Sequence, residues 1–116
     1  MKVRIEIINN DKNINNKIKN IINIYNKMNN NFIKTKIYEY GKYIGELKNN
    51  KREGKGIMYY NDGDRYEGGW KNDKKEGKGI MYYNDGDRQM GDCFDGHPIG
   101  KHVLFKNNGE IEIINY

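Results

Sequence analysis

Cysteine, proline and tryptophan each occur once in this sequence of 116 residues. The single cysteine, Cys93, cannot form an internal disulfide, and no Cys/His set has zinc-ligand spacing, so a reducing compartment is expected. Hydrophobic residues make up 35% of the chain and the mean hydropathy is −1.08, which excludes a thick core and a two-lobed enzyme. Residues 1–8 are charged at alternate positions, unlike a signal peptide or a membrane span. We therefore expect a cytoplasmic protein.

The net charge of +5 is unevenly distributed. Residues 1–40 hold eight Lys/Arg against three Asp/Glu, whereas residues 41–116 hold thirteen of each. A basic excess is typical of proteins that bind nucleic acid or anionic lipid, but here it is confined to the first forty residues, and we predict no nucleic-acid partner. Asparagine occurs 19 times, so frequently that we give it no weight as a structural signal.

A repeat of 23 residues organises the rest of the chain. Residues 43–65 and 66–88 are identical at 18 of 23 positions, including an unbroken run from Glu53 to Arg65 against Glu76 to Arg88. Residues 89–111 form a divergent third copy. Terminal repeats are expected to drift, because one side has no neighbour to match.

Each copy has the pattern of a β-hairpin. Tyr66, Gly68 and Trp70 alternate with polar residues, as they do on one face of a strand. The run Ile80 to Tyr83 is a second strand, followed by an Asp-Gly turn. Each glycine leaves a gap that a neighbouring aromatic ring can fill. We predict strands near residues 43–48, 56–60, 66–71, 79–83, 89–94 and 102–106.

These residues resemble the MORN repeat (membrane occupation and recognition nexus), a match that YEGGWKNDKKEGKGIMYYNDGD shows nearly throughout. The third copy, with FDGHPIGKHVLFKNNGEI, is similar to the variant form of bacterial proteins. The third copy departs where Trp70 becomes Cys93, Tyr66 becomes Gln89 and Gly79 becomes His102. The resemblance implies a single-layer antiparallel sheet and a scaffold that holds partner peptides or self-associates.

The first forty residues predict a different element. Apolar residues recur at helical spacing from about Asp11 to Asn30, with Asp11 as N-cap, after a strand-like segment at residues 1–8. Phe32 to Tyr40 reads as a strand that leads into the repeats. We expect residues 1–41 to form a strand-helix-strand cap and residues 42–116 the repeat sheet, together one structural unit. The fold class is therefore α+β, a single antiparallel β-meander with one N-terminal amphipathic helix packed on the sheet.

We predict a non-enzymatic binding module that holds a partner protein or peptide on the aromatic face of the sheet, without cofactor or metal. Tyrosine and tryptophan dominate protein interfaces, so truncation of Trp70 to alanine should weaken partner capture while the fold survives. The open edge at Glu110 to Tyr116 would also allow homodimerisation. The predicted partner-binding residues are Tyr43, Leu47, Tyr59, Tyr60, Tyr66, Trp70, Tyr82 and Tyr83.

An alternative function is peripheral binding to anionic membrane phospholipids, through the basic helix and a lysine-rich edge of the hairpins. The residues that would contact lipid are Lys12, Lys19, Lys27, Lys51, Arg52, Lys74 and Lys75.

Two further patterns have simpler readings. The Asp-Gly-Asp turns at Asp62 and Asp85 lack the further oxygen ligands of a calcium loop and are read as turn chemistry. Cys93 with His97 or His102 could act as nucleophile and base, but Cys93 occupies the position of Trp70 in a strand, which favours a buried, inert thiol.

Overall fold

The computed structural model describes residues 12–116 of the chain, with side chains for residues 14–25 and 33–116. The predicted strand at residues 1–8 and the predicted N-cap at Asp11 lie outside the described residues. One helix and eight strands follow one another over the described part: α1 (Lys12–Phe32), β1 (Ile33–Tyr38), β2 (Gly41–Lys48), β3 (Lys51–Tyr60), β4 (Arg65–Lys71), β5 (Lys74–Tyr82), β6 (Arg88–Phe94), β7 (His97–Phe105) and β8 (Ile111–Asn115). The α+β class is confirmed.

The chain divides into two compact units, with the boundary between Ile33 and Lys34. Apolar residues recur along α1 at intervals of three or four, as predicted, but the helix continues beyond Asn30 to Phe32. Strand β1 therefore begins at Ile33 rather than Phe32. The packing of the helix on the sheet stays a prediction. Among the described residues, no helix combines the length and the apolar character needed to cross a membrane.

The strands form one open sheet in which spatial order equals chain order, from β1 at one edge to β8 at the other. Successive strands from β2 to β8 pair antiparallel. Because every connection is a short reversal, each copy forms one hairpin and pairs with the next copy along the chain. The predicted meander of stacked hairpins is confirmed.

The second strand of each hairpin is longer than predicted. Strands β3, β5 and β7 begin at Lys51, Lys74 and His97, not near residues 56, 79 and 102. The reason is a tight turn that the sequence reading missed. Asn72 and Asp73 have φ of 48° and 70°, and positive φ at both central residues defines the two-residue type I′ turn of hairpins.

A glycine with positive φ lets the longer second strand of each hairpin stay paired with the shorter first strand. Gly68 pairs with Gly79 but Trp70 pairs with Lys75, so β5 holds more residues than β4 over this stretch. Gly77 lies in this bulge with φ 75°, and Gly54 and Gly100 occupy the same position of the other copies with φ 74° and 67°. Glycine adopts this conformation without the steric penalty of a side chain.

The core consists of rings that lie on glycine backbone. Tyr43, Met58, Tyr66 and Trp70 are the buried hydrophobic residues of the described chain. A Cβ atom added to Gly79 would overlap the ring of Tyr66. The glycine therefore provides the space in which the tyrosine ring is buried, as the repeat pattern predicted.

Pleating divides the sheet into two faces, since paired residues lie on the same face and successive residues on opposite faces. We call the face with Tyr43, Met58 and Tyr66 the aromatic face. The other face carries a row of mostly apolar, paired residues, which we call the opposite row: Ile44, Ile57, Glu67, Ile80, Met90, Val103 and Ile113.

Candidate functional site: the Cys93 cleft

The site is best understood from the second copy, where the corresponding position is filled by Trp70. The indole ring packs edge-on against two tyrosines, with centroids 5.5 Å from Tyr43 and 5.3 Å from Tyr66. Its Nε1 donates a hydrogen bond to the carbonyl of Gly56 at 3.3 Å. Trp70 is 5% exposed, so in the second copy this position is a slot for one aromatic side chain, whereas the first copy has Leu47 there.

A guanidinium closes the slot over Trp70. The Arg52 guanidinium carbon lies 4.4 Å from the centroid of the Trp70 ring and 4.7 Å from that of Tyr38. The same side chain donates to the Asp73 carboxylate at 2.7 Å and to the Asp73 carbonyl at 2.9 Å. Arg52 is buried, and Asp73 balances its charge, as a buried charge requires.

One repeat later, the sequence replaces all three members of this cluster. Cys93 stands at the position of Trp70, Lys75 at that of Arg52 and Gly96 at that of Asp73. The smaller side chains leave a cavity of about 190 Å³ on the aromatic face. We call it the Cys93 cleft; among its lining residues are Tyr66, Lys75, Cys93, Pro98, His102 and Tyr116.

His102 forms one wall of the Cys93 cleft. A Cβ on Gly91 would overlap its ring, so the histidine occupies the space over glycine that tyrosine fills in the other copies. A carbonyl can only accept, so Nε2 donates to Asp92 O at 2.8 Å and Nδ1 accepts from the Gln89 amide at 3.0 Å. Gln89 also donates to the Tyr116 hydroxyl at 2.9 Å. These bonds hold the wall in one orientation.

Lys75 brings a positive charge to the rim. Its ammonium lies 4.6 Å from the centroid of Tyr66 and 5.6 Å from that of Tyr60. Within the described part of the chain, no carboxylate forms a salt bridge with Lys75, whereas Arg52 at the equivalent position has Asp73. The cleft therefore combines an aromatic wall with an ammonium that forms no salt bridge with any carboxylate of the described residues.

Cys93 is a weak nucleophile. Burial raises the pKa of its thiol, with Lys75 opposing and Asp92 reinforcing that shift, so the thiol is protonated near neutral pH. The thiolate is the reactive form of cysteine. The His102 ring nitrogens are hydrogen-bonded to Asp92 and Gln89, so His102 is not positioned as a base for Cys93.

Three of the predicted partner-binding residues belong to the core. Tyr43, Tyr66 and Trp70 are at most 5% exposed, and Leu47 and Tyr60 are partly buried against them. Their burial corrects the prediction that these residues form an exposed aromatic surface for a partner. The rings of Tyr43, Tyr66 and Trp70 are buried against one another, and of these three residues Tyr66 also lines the Cys93 cleft.

The remaining three tyrosines lie elsewhere. Tyr59 and Tyr82 are on the opposite face, because each follows a methionine of the aromatic face by one residue. There Tyr82 lies against Arg65, whose guanidinium carbon is 4.0 Å from its ring centroid. Tyr83 is exposed and lines the Cys93 cleft. Of the predicted partner-binding residues, Tyr66 and Tyr83 line the cleft.

The predicted lipid-contact residues do not form a uniform basic surface. Arg52 is buried, and Lys74 forms a salt bridge with Asp95 at 3.0 Å. Acidic residues of the type I′ turns, Asp73 and Asp95, thus lie at the end of the hairpins that was predicted to be lysine-rich. Lys19 and Lys51 are exposed. Lys75 is partly buried in the cleft, and the side chains of Lys12 and Lys27 lie outside those described.

Hydrogen bonds connect the Asp-Gly-Asp turns. Asp62 and Asp85 each accept the backbone N–H two residues later, at 2.9 Å. The second aspartate of each turn accepts the backbone N–H of an asparagine in the next turn, as in Asp64 to Asn84 at 2.8 Å. These carboxylates perform turn chemistry, as the sequence suggested.

Sequence reasoning missed the Cys93 cleft, although it aligned Cys93 with Trp70. The alignment did not show which side chains surround Cys93 in the folded sheet. His102 and Tyr116 come from residues after the two well-conserved copies, and their rings meet at 4.8 Å. Tyr116 stands one repeat after Cys93, a periodic signal that could have identified it.

Comparison with known families supports the repeat assignment. A family model described as the MORN repeat matches residues 43–65 and 66–88. A comparison with curated proteins found no similar protein.

Proposed function

Since residues 43–65 and 66–88 are two MORN repeats, we propose that this chain is a non-enzymatic protein-binding module that holds a partner protein or peptide in the Cys93 cleft. MORN repeats are binding and scaffold units rather than a known enzyme family. A fold alone does not fix a function, so the proposal depends on the site. The observation that carries it is the slot of the third copy, which Trp70 fills in the second copy and Cys93 leaves open.

The size of the cleft favours one inserted side chain. Its volume of about 190 Å³ is below the roughly 300–1,000 Å³ of typical small-molecule pockets. Interfaces commonly depend on a few aromatic or Arg anchors that enter well-packed pockets. An anchor in the cleft would contact Tyr66, the equivalent of Tyr43, and the His102 ring, while Gln89 stands at the position equivalent to Tyr66.

The chemistry of the cleft argues against catalysis. The Cys93 thiol is protonated near neutral pH, and both ring nitrogens of His102 are occupied by Asp92 and Gln89. A nucleophile needs an adjacent base or a lowered pKa, and Cys93 has neither feature.

The lipid alternative receives less support. Asp73 and Asp95 balance Arg52 and Lys74 at the basic end of the hairpins. A surface with both signs of charge attracts anionic lipid weakly, because the opposing charges cancel within a Debye length of about 8 Å at physiological ionic strength.

Selection from a displayed library of random peptides tests the proposed function. We expect the protein to enrich a peptide class whose binding is lost in Cys93→Trp, because the introduced indole fills the cleft. Two controls should bind unchanged: Cys93→Ser, which leaves the cleft open, and Met90→Lys, in the opposite row. Circular dichroism establishes that each variant is folded. Peptides that bind Cys93→Trp as tightly as wild type, or that lose binding only in Met90→Lys, would refute the cleft as the binding site.

A further inference from the structure

We infer that the Cys93 cleft selects a tryptophan side chain with a carboxylate beside it, as found in a partner segment where Trp adjoins Asp or Glu. This inference rests on the proposed function and specifies its partner. The second copy of the repeat contains the corresponding site with Trp70, Arg52 and Asp73 in place.

The indole requirement follows from comparing the two copies. Trp70 contacts a tyrosine ring on either side and donates to the carbonyl of Gly56. In the cleft, Tyr66 provides one aromatic wall and His102 the other, and Gly79 occupies the position equivalent to Gly56. Edge-to-face contacts add to the area that an aromatic side chain buries. A tryptophan side chain is therefore the group that the corresponding slot of the second copy accommodates.

The carboxylate requirement follows from Lys75. In the second copy, the cation over the ring is Arg52 and its carboxylate is Asp73, with the two groups 2.7 Å apart. In the third copy, Gly96 replaces that aspartate, and Lys75 is partly buried without a salt bridge in the described chain. A carboxylate delivered by the partner would pair with this ammonium, which also lies against Tyr66.

Short synthetic peptides test both requirements. The probe is acetyl-Gly-Ser-Trp-Asp-Ser-amide, whose blocked ends leave the aspartate as its single carboxylate, and dissociation constants come from ¹⁵N NMR titration of the full chain. We expect saturable shifts at the backbone amides of Gly91, Cys93 and His102. Replacing the peptide tryptophan with alanine should abolish them. Replacing the aspartate with asparagine should weaken binding by about two- to five-fold, the range of a solvent-accessible ion pair.

Variants of Lys75 separate charge recognition from a merely structural role. In Lys75→Gln, the Asp and Asn peptides should bind equally. In Lys75→Glu, a peptide with Lys in place of Asp should bind more tightly than the Asp peptide. If Lys75→Glu fails to fold, Lys75→Gln decides the charge requirement. A two- to five-fold Asp preference that persists in Lys75→Gln, or Trp→Ala peptides that still bind, would overturn the inference.

The displayed library and the Trp-Asp probe together distinguish failure of this inference from failure of the proposed function. If the displayed library yields peptides that Cys93→Trp abolishes but that contain no Trp next to an acid, the cleft binds partners and the inference about their chemistry is wrong. If no selected peptide is sensitive to Cys93→Trp, and the Trp-Asp probe gives no saturable shift, both fail.

Discussion

The Arg52 side chain reaches from one hairpin to the turn of the next, where its Nε lies 2.7 Å from Oδ1 of Asp73. The backbone N–H of Arg52 donates to the same oxygen at 3.1 Å. Partial burial acts to raise the pKa of Asp73, but hydrogen bonds from Arg52 and the charges of Arg52 and Lys36 outweigh it, so the pKa is lowered below its ordinary value of 3.8.

The first prediction concerns the pH dependence of stability. Because the pKa of Asp73 is lower in the folded than in the unfolded chain, its ionised form stabilises the fold above the unfolded value of about 3.8. That contribution is lost as the pH falls through the lower, folded pKa. The free energy of unfolding of wild type should therefore exceed that of Asp73→Asn by a constant amount from pH 7 to about 5. The difference should shrink below pH 4.

Denaturant unfolding at several pH values measures this difference. Other carboxylates titrate in both proteins, so their effects cancel in the comparison. The charge-conserving variant Arg52→Lys is the matched control, since it keeps a cation but loses the geometry of the guanidinium. A difference between wild type and Asp73→Asn that stays constant down to pH 2.5 would contradict a role for the ionised carboxylate.

A second prediction corrects the role assigned to Trp70. Trp70 is buried between Tyr43 and Tyr66, so Trp70→Ala removes core contacts and leaves a cavity. The expected loss is about 3–5 kcal/mol, a large part of the roughly 5–15 kcal/mol that stabilises a typical domain. Trp70→Phe should lose less, because it keeps a ring in the slot. Both losses are read from urea denaturation. A Trp70→Ala variant as stable as wild type would mean that the slot is not part of the core.

The third prediction separates two reasons for glycine at positions 77 and 79 of strand β5. Gly79 lies under the Tyr66 ring, so Gly79→Ala forces the ring out of place and should cost near the upper end of about 1–3 kcal/mol. Gly77 has open space around it but φ 75°, so Gly77→Ala should cost about 1–2 kcal/mol through backbone strain.

Asparagine provides the control, because it tolerates the left-handed conformation better than alanine does. Gly77→Asn should therefore be more stable than Gly77→Ala, whereas Gly79→Asn should be no better than Gly79→Ala. Thermal melts of the four variants give the order. If asparagine rescues position 79 instead of position 77, the two assignments are reversed.

The repeat period predicted the sheet well, because the period reflects where the backbone must have glycine to make room for an aromatic ring. A ring such as Tyr66 can lie on the sheet only where the neighbouring strand has glycine, so Tyr66 and Gly79 must recur together. The strand predicted at residues 66–71 is observed as Arg65–Lys71. The similarity between the repeat copies was therefore enough to predict the strand order and the pairing of each copy with the next.

The starts of the second strands could not be predicted by a reading that disregarded asparagine. Asn49 and Asn50 both have positive φ, and asparagine is among the few residues that adopt it readily. Asn72-Asp73 and Asp95-Gly96 repeat the turn at the same position of the next copies. The signal was periodic and therefore informative, even in a chain rich in asparagine.

The burial of the aromatic residues was missed for a different reason. Strand alternation places Tyr66 and Trp70 on one face but does not show whether that face is covered. The structure shows the rings covering one another, with Arg52 across Trp70. A sequence pattern of period two predicts the face of a side chain, whereas its exposure depends on contacts between copies.

The last prediction uses the Cys93 cleft to measure how closely the third copy resembles the second. In Cys93→Trp, the new indole should pack against Tyr66 as Trp70 does, below the ammonium of Lys75. Filling a cavity typically adds about 0.5–2 kcal/mol to the free energy of unfolding. Cys93→Ser changes the size little and serves as the control, and it should be no more stable than wild type. Overpacking would instead lower the stability of Cys93→Trp by about 1–3 kcal/mol, and that result would show that His102 and Tyr116 have reshaped the slot too far for an indole to enter.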